Sequence, residues 1–130
     1  MVLKIDMTGE VPIYQQIRNQ IVFGAAAGKL KVGEQLPTVR QLASDIGVNP
    51  MTVNKAYALL REEGVIVIDR RHGAKISQFQ NLKNSLDEKF DQDLLLLISE
   101  ARMRGTSQKE LESHILQLVR KFYNQEEVLL

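Results

Sequence analysis

The chain has 130 residues, of which 44% are hydrophobic and 25% charged, so it can bury a globular core without metals or disulfides. It contains no cysteine, which excludes disulfide frameworks and thiolate metal sites, and its longest apolar run, residues 94–98, is too short to cross a membrane. The net charge is +1, but residues 1–80 carry 10 Lys+Arg against 7 Asp+Glu, and residues 81–130 carry 7 against 9. This asymmetry favours an amino-terminal part that faces nucleic acid, and the amino terminus shows no signal peptide, so we expect a cytoplasmic protein.

The first predicted helix begins near Pro12, because proline is well tolerated in the first turn of a helix. Ile13, Ile17 and Ile21 recur at helical spacing and form an apolar stripe. We expect this helix to break near Gly24 and Gly28. The following segment "KLKVGEQLP", residues 29–37, is predicted to be a loop.

Two short helices joined by a tight turn are predicted next. Thr38 can cap the first of them, and Gly47 can end it in the left-handed conformation. Asn49 can cap the second and Pro50 can be its first residue, and Gly64 stops it after about Glu63. Two helices with this connection are typical of a helix-turn-helix.

The second of these helices has two different faces. Its apolar stripe, which we expect in the core, consists of Val53, Ala56, Tyr57 and Leu60. Its other face begins with Met51, Thr52, Asn54 and Lys55, which are short, polar or basic. The major groove admits one helix, with its amino-terminal residues against the base edges. We therefore predict that Met51 contacts a thymine methyl, Asn54 an adenine, and Thr52 a base or a phosphate. For Lys55 two contacts remain open, one with a phosphate and one with a guanine.

A short hairpin is predicted directly behind the helix-turn-helix. Residues 65–69, "VIVID", are β-branched and indicate one strand, and residues 74–77, "AKIS", indicate a second. The turn between them holds Arg70, Arg71, His72 and Gly73, which places cations where a minor groove or phosphates can lie. Arg40, in the first helix of the pair, points away from the apolar stripe and is predicted to grip the DNA backbone.

These segments together resemble the winged helix-turn-helix of GntR-family bacterial transcription regulators. The resemblance covers about residues 10–77 and rests on "PIYQQIRNQI", "GKLKVGEQLPTVRQLA", "GVNPMTVNKAYALLREEGVI" and "RRHGAKI". The "VNP-x-TV" motif and the short carboxy-terminal part resemble the YtrA-like subgroup. Members of this subgroup are typically dimeric repressors, often of transporter operons. The resemblance implies DNA contacts at Arg40, Asn49, Pro50, Thr52 and Asn54, with the wing glycine at Gly73.

Two features depart from the family pattern. Many relatives have a polar residue at the position of Met51 and an arginine at that of Asn54, so we expect a different operator. The wing reads only "HGAKI", where the family commonly has two glycines followed by threonine, an aromatic residue and valine. We therefore expect a shorter wing tip.

The chain is predicted to divide into a DNA-binding domain over residues 1–77, a linker over 78–84 and a helical dimerisation region over 85–130. Two helices are expected in the last part; the first ends at Gly105, and the second begins with a capping box at Ser107 and Glu110. Their apolar stripes predict a two-helix hairpin that packs against a second copy of the chain. The predicted interface residues are Leu86, Phe90, Leu94, Leu97, Ile98, Leu111, Ile115, Leu118, Val119 and Phe122.

The sequence favours a mostly α protein with a small β-hairpin that binds a double-stranded DNA operator as a homodimer. It contains no nucleophile–base constellation, phosphate-cradling loop or metal-ligand cluster, so we expect neither an enzyme nor a cofactor. The acidic residues 87, 88, 91 and 93 indicate a solvated helix face rather than a cation site. A winged-helix protein-interaction module is the alternative function, and the sequence leaves open whether a small-molecule effector binds.

Overall fold

The computed structural model describes residues 1–79 and 86–124, which form five helices and one two-stranded antiparallel sheet. In chain order these are α1 (Ile13–Ala26), α2 (Val39–Ile46), α3 (Pro50–Glu62), β1 (Ile66–Asp69), β2 (Gly73–Ile76), α4 (Glu88–Met103) and α5 (Gln108–Tyr123). The chain divides into two compact units, residues 1–81 and 82–130. The predicted mostly α fold with a small β-hairpin is confirmed. Residues 80–84 of the predicted linker lie outside the described residues.

The first unit is built around α3, which packs against α1, α2 and β1. The predicted apolar stripe of α3 is confirmed, since Val53, Ala56, Tyr57 and Leu60 are all buried. Ile17, Ile21 and Ala25 of α1 meet them from one side. The remaining core residues come from α2, the loop before it and the hairpin: Leu30, Leu36, Leu42, Ala43, Ile66, Ala74 and Ile76. Phe79, which we predicted to lie in the linker, packs against this core.

The helix ends follow the predicted capping chemistry. The Thr38 hydroxyl accepts a hydrogen bond from the Gln41 amide at 3.1 Å, and Gly47 ends α2 with a φ of 72°. A glycine is favoured there because side-chain-bearing residues rarely adopt that conformation. Pro50 is the first residue of α3, as predicted.

Helix α1 continues through Gly24 and ends at Ala26, between the two glycines near which a break was predicted. A Cβ atom on Gly24 would lie 2.9 Å from a side-chain carbon of Leu30. The buried Leu30 folds back onto the helix at this point, and the missing side chain makes room for it. The predicted break therefore does not fall at Gly24, where the glycine serves close packing; the helix ends just before Gly28, which has a φ of 78°. Pro12 lies just before the helix, at its cap position, rather than inside its first turn.

The segment before α1 is fastened to that helix by two glutamines. The Gln20 carboxamide pairs with both the amide and the carbonyl of Lys4, at 2.9 and 2.6 Å. One turn earlier, the Gln16 carboxamide pairs in the same way with Asp6, at 2.8 and 2.9 Å. Leu3 and Ile5, on either side of Lys4, pack against the core. The amino-terminal segment is therefore an ordered part of the first unit.

The hairpin is joined to the segment that leads into α2. The predicted loop before Pro37 runs beside β2, where the Leu36 amide donates to Ala74 at 2.8 Å and the Ile76 amide donates to Glu34 at 3.0 Å. On the other side, the Val65 amide donates to the Leu60 carbonyl at 2.9 Å. These bonds hold the hairpin against the segment that precedes α2 and against the carboxy-terminal end of α3.

The second unit contains α4 and α5, which contact each other as a helical hairpin. The predicted cap at Ser107 is confirmed, since its hydroxyl accepts from the Glu110 amide at 3.2 Å; the hydroxyl also donates to the Glu110 carboxylate at 2.9 Å. Asp87 caps α4 by accepting from the Phe90 amide at 2.9 Å. Neither helix contains a fully buried residue.

Candidate nucleic-acid interface

The amino-terminal end of α3 is organised by Asn49. Its side-chain oxygen accepts a hydrogen bond from the Met51 amide at 2.8 Å, and its carbonyl accepts one from the Thr52 amide at 2.9 Å. The side chain of Asn49, a predicted DNA contact, is therefore engaged as a helix cap. Pro50 fixes the chain direction at the first residue of the helix. The two residues together determine how the first turn of α3 is presented.

The predicted base-reading residues lie on the outside of α3. Met51 is 77% exposed, Asn54 is exposed and Thr52 is half-buried. Among the described residues, the side chains of Thr52 and Asn54 have no hydrogen-bond partner, so their polar groups are available to an external ligand. Val53, between them, is fully buried. The helix thus has one face fixed in the core and an opposite face that is free at its amino-terminal end.

Tyr57 connects α3 to the entry of α2. Its hydroxyl donates to the Pro37 carbonyl at 2.8 Å, and burial of the ring raises the pKa of Tyr57 to about 12. The hydroxyl therefore remains a donor at every physiological pH. Arg40 is the second residue of α2 and is exposed. Its guanidinium has no hydrogen-bond or ion-pair partner in the described part of the chain. Sequence reasoning placed Tyr57 only in the core and missed this bond between the two helices.

Lys55 is held against α1. Its ammonium nitrogen lies 4.1 Å from the centroid of the Tyr14 ring, in cation–π geometry, although the residue as a whole is exposed. At the far end of α3, the Arg18 guanidinium forms two bonds to the Glu63 carboxylate, at 2.9 and 2.6 Å. The hydrogen bond with Glu63 also raises the pKa of Arg18. The middle of α3 and its carboxy-terminal end are thus tied to α1 through side chains.

Asp69 organises the turn of the wing. Its carboxylate accepts hydrogen bonds from the amides of Arg71 and His72, each at 2.7 Å, and lies 3.2 Å from Nδ1 of His72. The bond from the His72 amide is the main reason that the pKa of Asp69 is lowered. The sequence analysis missed this residue, although an aspartate at the start of a turn commonly binds amides two or three residues later.

The turn exposes all four predicted wing residues. Arg70 and Arg71 carry guanidiniums without partners among the residues that the structure describes, and Gly73 has a φ of 70°. His72 is turned towards Asp69. The wing therefore presents two free positive charges beside a histidine whose ring contacts the Asp69 carboxylate.

Removal of the Asp69 carboxylate is expected to loosen this turn. In Asp69→Ala the amide protons of Arg71 and His72 should exchange faster, whereas Asp69→Asn, which keeps an acceptor oxygen, should preserve most of their protection. Because the folded pKa is depressed, the carboxylate stabilises the turn above its ordinary pKa, and this contribution is lost as the pH falls through the lower, folded value. Both amide signals should shift together in that acidic range in an NMR titration, and unchanged signals in Asp69→Ala would contradict the assignment.

The predicted interface residues of the hairpin fall into two groups. Five are half-buried: Leu94, Ile98, Leu111, Ile115 and Phe122. Five are exposed: Leu86, Phe90, Leu97, Leu118 and Val119. Leu95, Leu96 and Leu116 were not predicted and are also exposed. The hairpin therefore has a wide apolar surface that the described residues do not cover.

Residues 1–79 and 86–124 contain no group of three or more side chains able to hold a metal ion, and none of their helices has the length and apolarity needed to span a bilayer. Asp87 is a helix cap, and Asp93 pairs with Lys89 at 2.9 Å.

The first unit is a winged helix-turn-helix: α2 and α3 form the pair of helices, α1 supports them, and β1 and β2 form the wing. The profile of the family described as "Bacterial regulatory proteins, gntR family" matches residues 11–76. The chain belongs to this family.

Individual relatives agree with this assignment. The chain is 37% identical to the HTH-type transcriptional repressor YtrA of Bacillus subtilis over 120 residues, covering 89% of this chain and 91% of the relative. The structure of YtrA from Sulfolobus acidocaldarius, a GntR-family transcription factor, matches with a TM-score of 0.61 and 38% identity over 79% of this chain and 99% of that one. A transcriptional antiterminator from Listeria monocytogenes matches with a TM-score of 0.81 and 27% identity over 99% and 98% of the two chains.

The protein is therefore a DNA-binding transcription regulator of the GntR family and not an enzyme. The resemblance to the YtrA-like subgroup is confirmed by the repressor that matches most of the chain. These findings favour DNA binding over the alternative of a winged-helix module that binds only other proteins.

Proposed function

We propose that this regulator is a cytoplasmic, dimeric repressor that reads a palindromic operator with the exposed front of α3. The observation that carries the proposal is the contrast between the two faces of this helix. Val53 is fully buried, whereas Met51 and Asn54 beside it are exposed, and the polar side chain of Asn54 is unengaged in the described residues. A helix with this arrangement can enter the major groove without disturbing the core.

In this proposal, specificity comes from the first turn of α3 and affinity from the surrounding cations. Met51, Thr52 and Asn54 contact base edges, with Asn49 and Pro50 close to the DNA at the start of the helix. Backbone phosphates are bound by the positively charged residues Arg40, Lys55, Arg70 and Arg71, with His72 and Gly73 completing the wing contact. Such contacts to phosphates give binding that weakens as the salt concentration rises.

The proposal of a dimer is supported by the apolar surface of α4 and α5. Leu97 is 63% exposed and Leu96 is 61% exposed, and no residue of either helix is buried. Amphipathic helices obtain most of their stability by burying an apolar face, and a hairpin of two helices buries little. A second copy of the hairpin would cover the predicted interface residues. Two copies reading a palindrome need recognition helices about 34 Å apart, one turn of DNA.

The proposal of repression is supported by a relative, whereas the kind of operon rests on the resemblance to the YtrA-like subgroup. The Bacillus subtilis relative is named a transcriptional repressor, and it covers most of this chain. We extend the proposal to repression of an operon that encodes a transporter, as the resemblance to the YtrA-like subgroup implies.

The proposal is tested by mixing the purified protein with fragments of the genome from its source and sequencing those that it retains. We expect a recurring motif with two-fold symmetry, near the start of a transporter operon. A variant in which Met51, Thr52 and Asn54 are all replaced by alanine is the matched control, because it keeps the cations and should retain fragments without the motif. Retention of the same fragments by this variant, or a motif without symmetry, would refute the corresponding part of the proposal.

Arg40→Ala is expected to weaken binding to every DNA sequence by a similar factor. The free guanidinium of Arg40 lies on α2, away from the base-reading turn of α3, so its loss removes a phosphate contact without changing which bases are preferred. The slope of log affinity against log salt should fall by about one for each protomer on the DNA. Arg104→Ala, an exposed arginine in the second unit, is the control and should leave the slope unchanged. An unchanged slope in Arg40→Ala would show that Arg40 does not touch the DNA backbone.

A further inference from the structure

We propose that Tyr14 is a positioning residue that holds Lys55 ready to bind a DNA phosphate. This inference rests on the proposed DNA-binding function and adds to it a residue of α1. The observation behind it is the contact of 4.1 Å between the Lys55 ammonium and the centroid of the Tyr14 ring. Helices α1 and α3 pack against each other, so the ring has a fixed place beside the exposed face of α3.

The ring contact leaves the lysine able to bind a second partner. Its ammonium has three N–H donors, and the ring face takes up only one side of it. In the described part of the chain no carboxylate or other acceptor binds this ammonium, and the residue remains exposed. An oxygen of a phosphate can therefore approach from the solvent side while the ring stays in place.

The position of Lys55 favours a phosphate over a base. Lys55 lies one helical turn beyond Met51, and a recognition helix meets the base edges mainly with its first residues. The ring also draws the ammonium towards α1 instead of letting it extend along α3. A donor held at the side of the helix faces the wall of the groove, where the phosphates lie. This resolves the two roles that the sequence left for Lys55.

The benefit of the ring is that it orders a flexible side chain before the DNA arrives. A free lysine loses much rotamer freedom when it is fixed in a complex, and this loss weakens binding. If the ring already restricts the side chain in the free protein, less freedom is lost on association. Only the aromatic face is needed for this, so phenylalanine should replace Tyr14 and an aliphatic residue should not.

The contact itself is tested first in the protein without DNA. Protons next to a cation that lies over an aromatic face experience the ring current, so the side-chain methylene signals of Lys55 should be shifted upfield in NMR spectra. The shift should persist in Tyr14→Phe and disappear in Tyr14→Leu. A lysine with ordinary chemical shifts in the unmodified protein would overturn the inference, whatever the protein does with DNA.

The role in binding is tested with a double-mutant cycle on an operator and on an unrelated duplex. Tyr14→Leu should weaken binding to both duplexes about three-fold, with the salt slope unchanged because the lysine is still present. Lys55→Ala should lower the slope by about one for each protomer. Tyr14→Leu should have no further effect when it is combined with Lys55→Ala, and Tyr14→Phe should bind like the unmodified protein.

The cycle separates positioning from a general structural role. Tyr14 is half-buried and packs against the core, so the thermal stability of each variant is recorded alongside its affinity. A structural defect would weaken binding equally with and without the lysine, and that result would overturn the inference. If the ring-current shift is present but no duplex binds in a salt-dependent way, the proposed function itself fails and this inference falls with it.

Discussion

Leu97→Glu is expected to convert the proposed dimer into a monomer without unfolding the DNA-binding unit. Leu97 is 63% exposed, so in one chain the glutamate would point into water and disturb no packed neighbour. In a dimer formed through the predicted interface residues of α4 and α5, the second copy covers position 97. An unpaired carboxylate buried there is strongly unfavourable. The substitution therefore penalises association far more than the folding of the single chain.

The loss of affinity for a palindromic operator should be large. Two linked recognition helices bind with an avidity that can exceed that of one helix by about 10²–10⁴-fold, and a monomer loses this gain. Affinity for a single half-site should hardly change. Sedimentation gives the oligomeric state, and titrations of full and half operators give the two affinities.

Gln92→Glu is the matched control for this experiment. It makes the same change in charge on the same helix, at an exposed position about 140° around the axis from Leu97. We expect this variant to remain dimeric. If Gln92→Glu separates the copies and Leu97→Glu does not, the interface lies on the opposite side of α4, close to the exposed Leu96.

The features that could be predicted from the sequence are those determined within about one helical turn. Thr38 and Asn49 cap helices through amides two or three residues away, and Gly47 ends a helix through its own backbone freedom. The buried stripe of α3 follows in the same way from the helical period. Such features depend on residue type and spacing, both of which are visible in a sequence.

The features that were missed depend on contacts between distant parts of the chain. Gln16 and Gln20 read as ordinary polar helix residues, and their role appears only when residues 4 and 6 lie alongside them. Likewise, residues 33–36 have no strand pattern of their own, yet they pair with β2 because the buried Leu36 draws that segment against the hairpin. The sequence also does not show that Leu30 folds back onto Gly24, so it could not distinguish the role of this glycine from that of Gly28.

In the candidate interface, too, features set by the helical period could be predicted and contacts between distant residues could not. The exposure of Met51, Asn54 and Lys55 follows from the helical period once the buried stripe is known. The contact between Lys55 and Tyr14 joins residues 41 positions apart, and the bond from Tyr57 to Pro37 joins residues 20 apart. Sequence reasoning could therefore name the surface that faces DNA, but not the side chains that hold this surface in place.

The base preference of the protein is expected to change when Asn54 is replaced. Asparagine can form two hydrogen bonds with adenine, whereas arginine forms two with guanine. Asn54→Arg should therefore move the preference at one position of each half-site from adenine to guanine, and Asn54→Ala should relax it. Each such contact discriminates between bases by about 1–3 kcal/mol, so the affinity for the original operator should fall by about 5- to 150-fold per half-site.

The change should be confined to one position, because Asn54 has no side-chain partner in the described residues whose loss would disturb the helix. Selection from a duplex library with randomised half-sites measures the preference directly. Glu62→Ala is the control, since Glu62 is exposed at the other end of α3, far from the first turn, and should return the original motif. Thr52→Ala should alter a different position from Asn54→Ala, because the two side chains leave the helix in different directions. If Asn54→Arg, Asn54→Ala and Thr52→Ala all gave the original motif, α3 could not be the element that reads the bases.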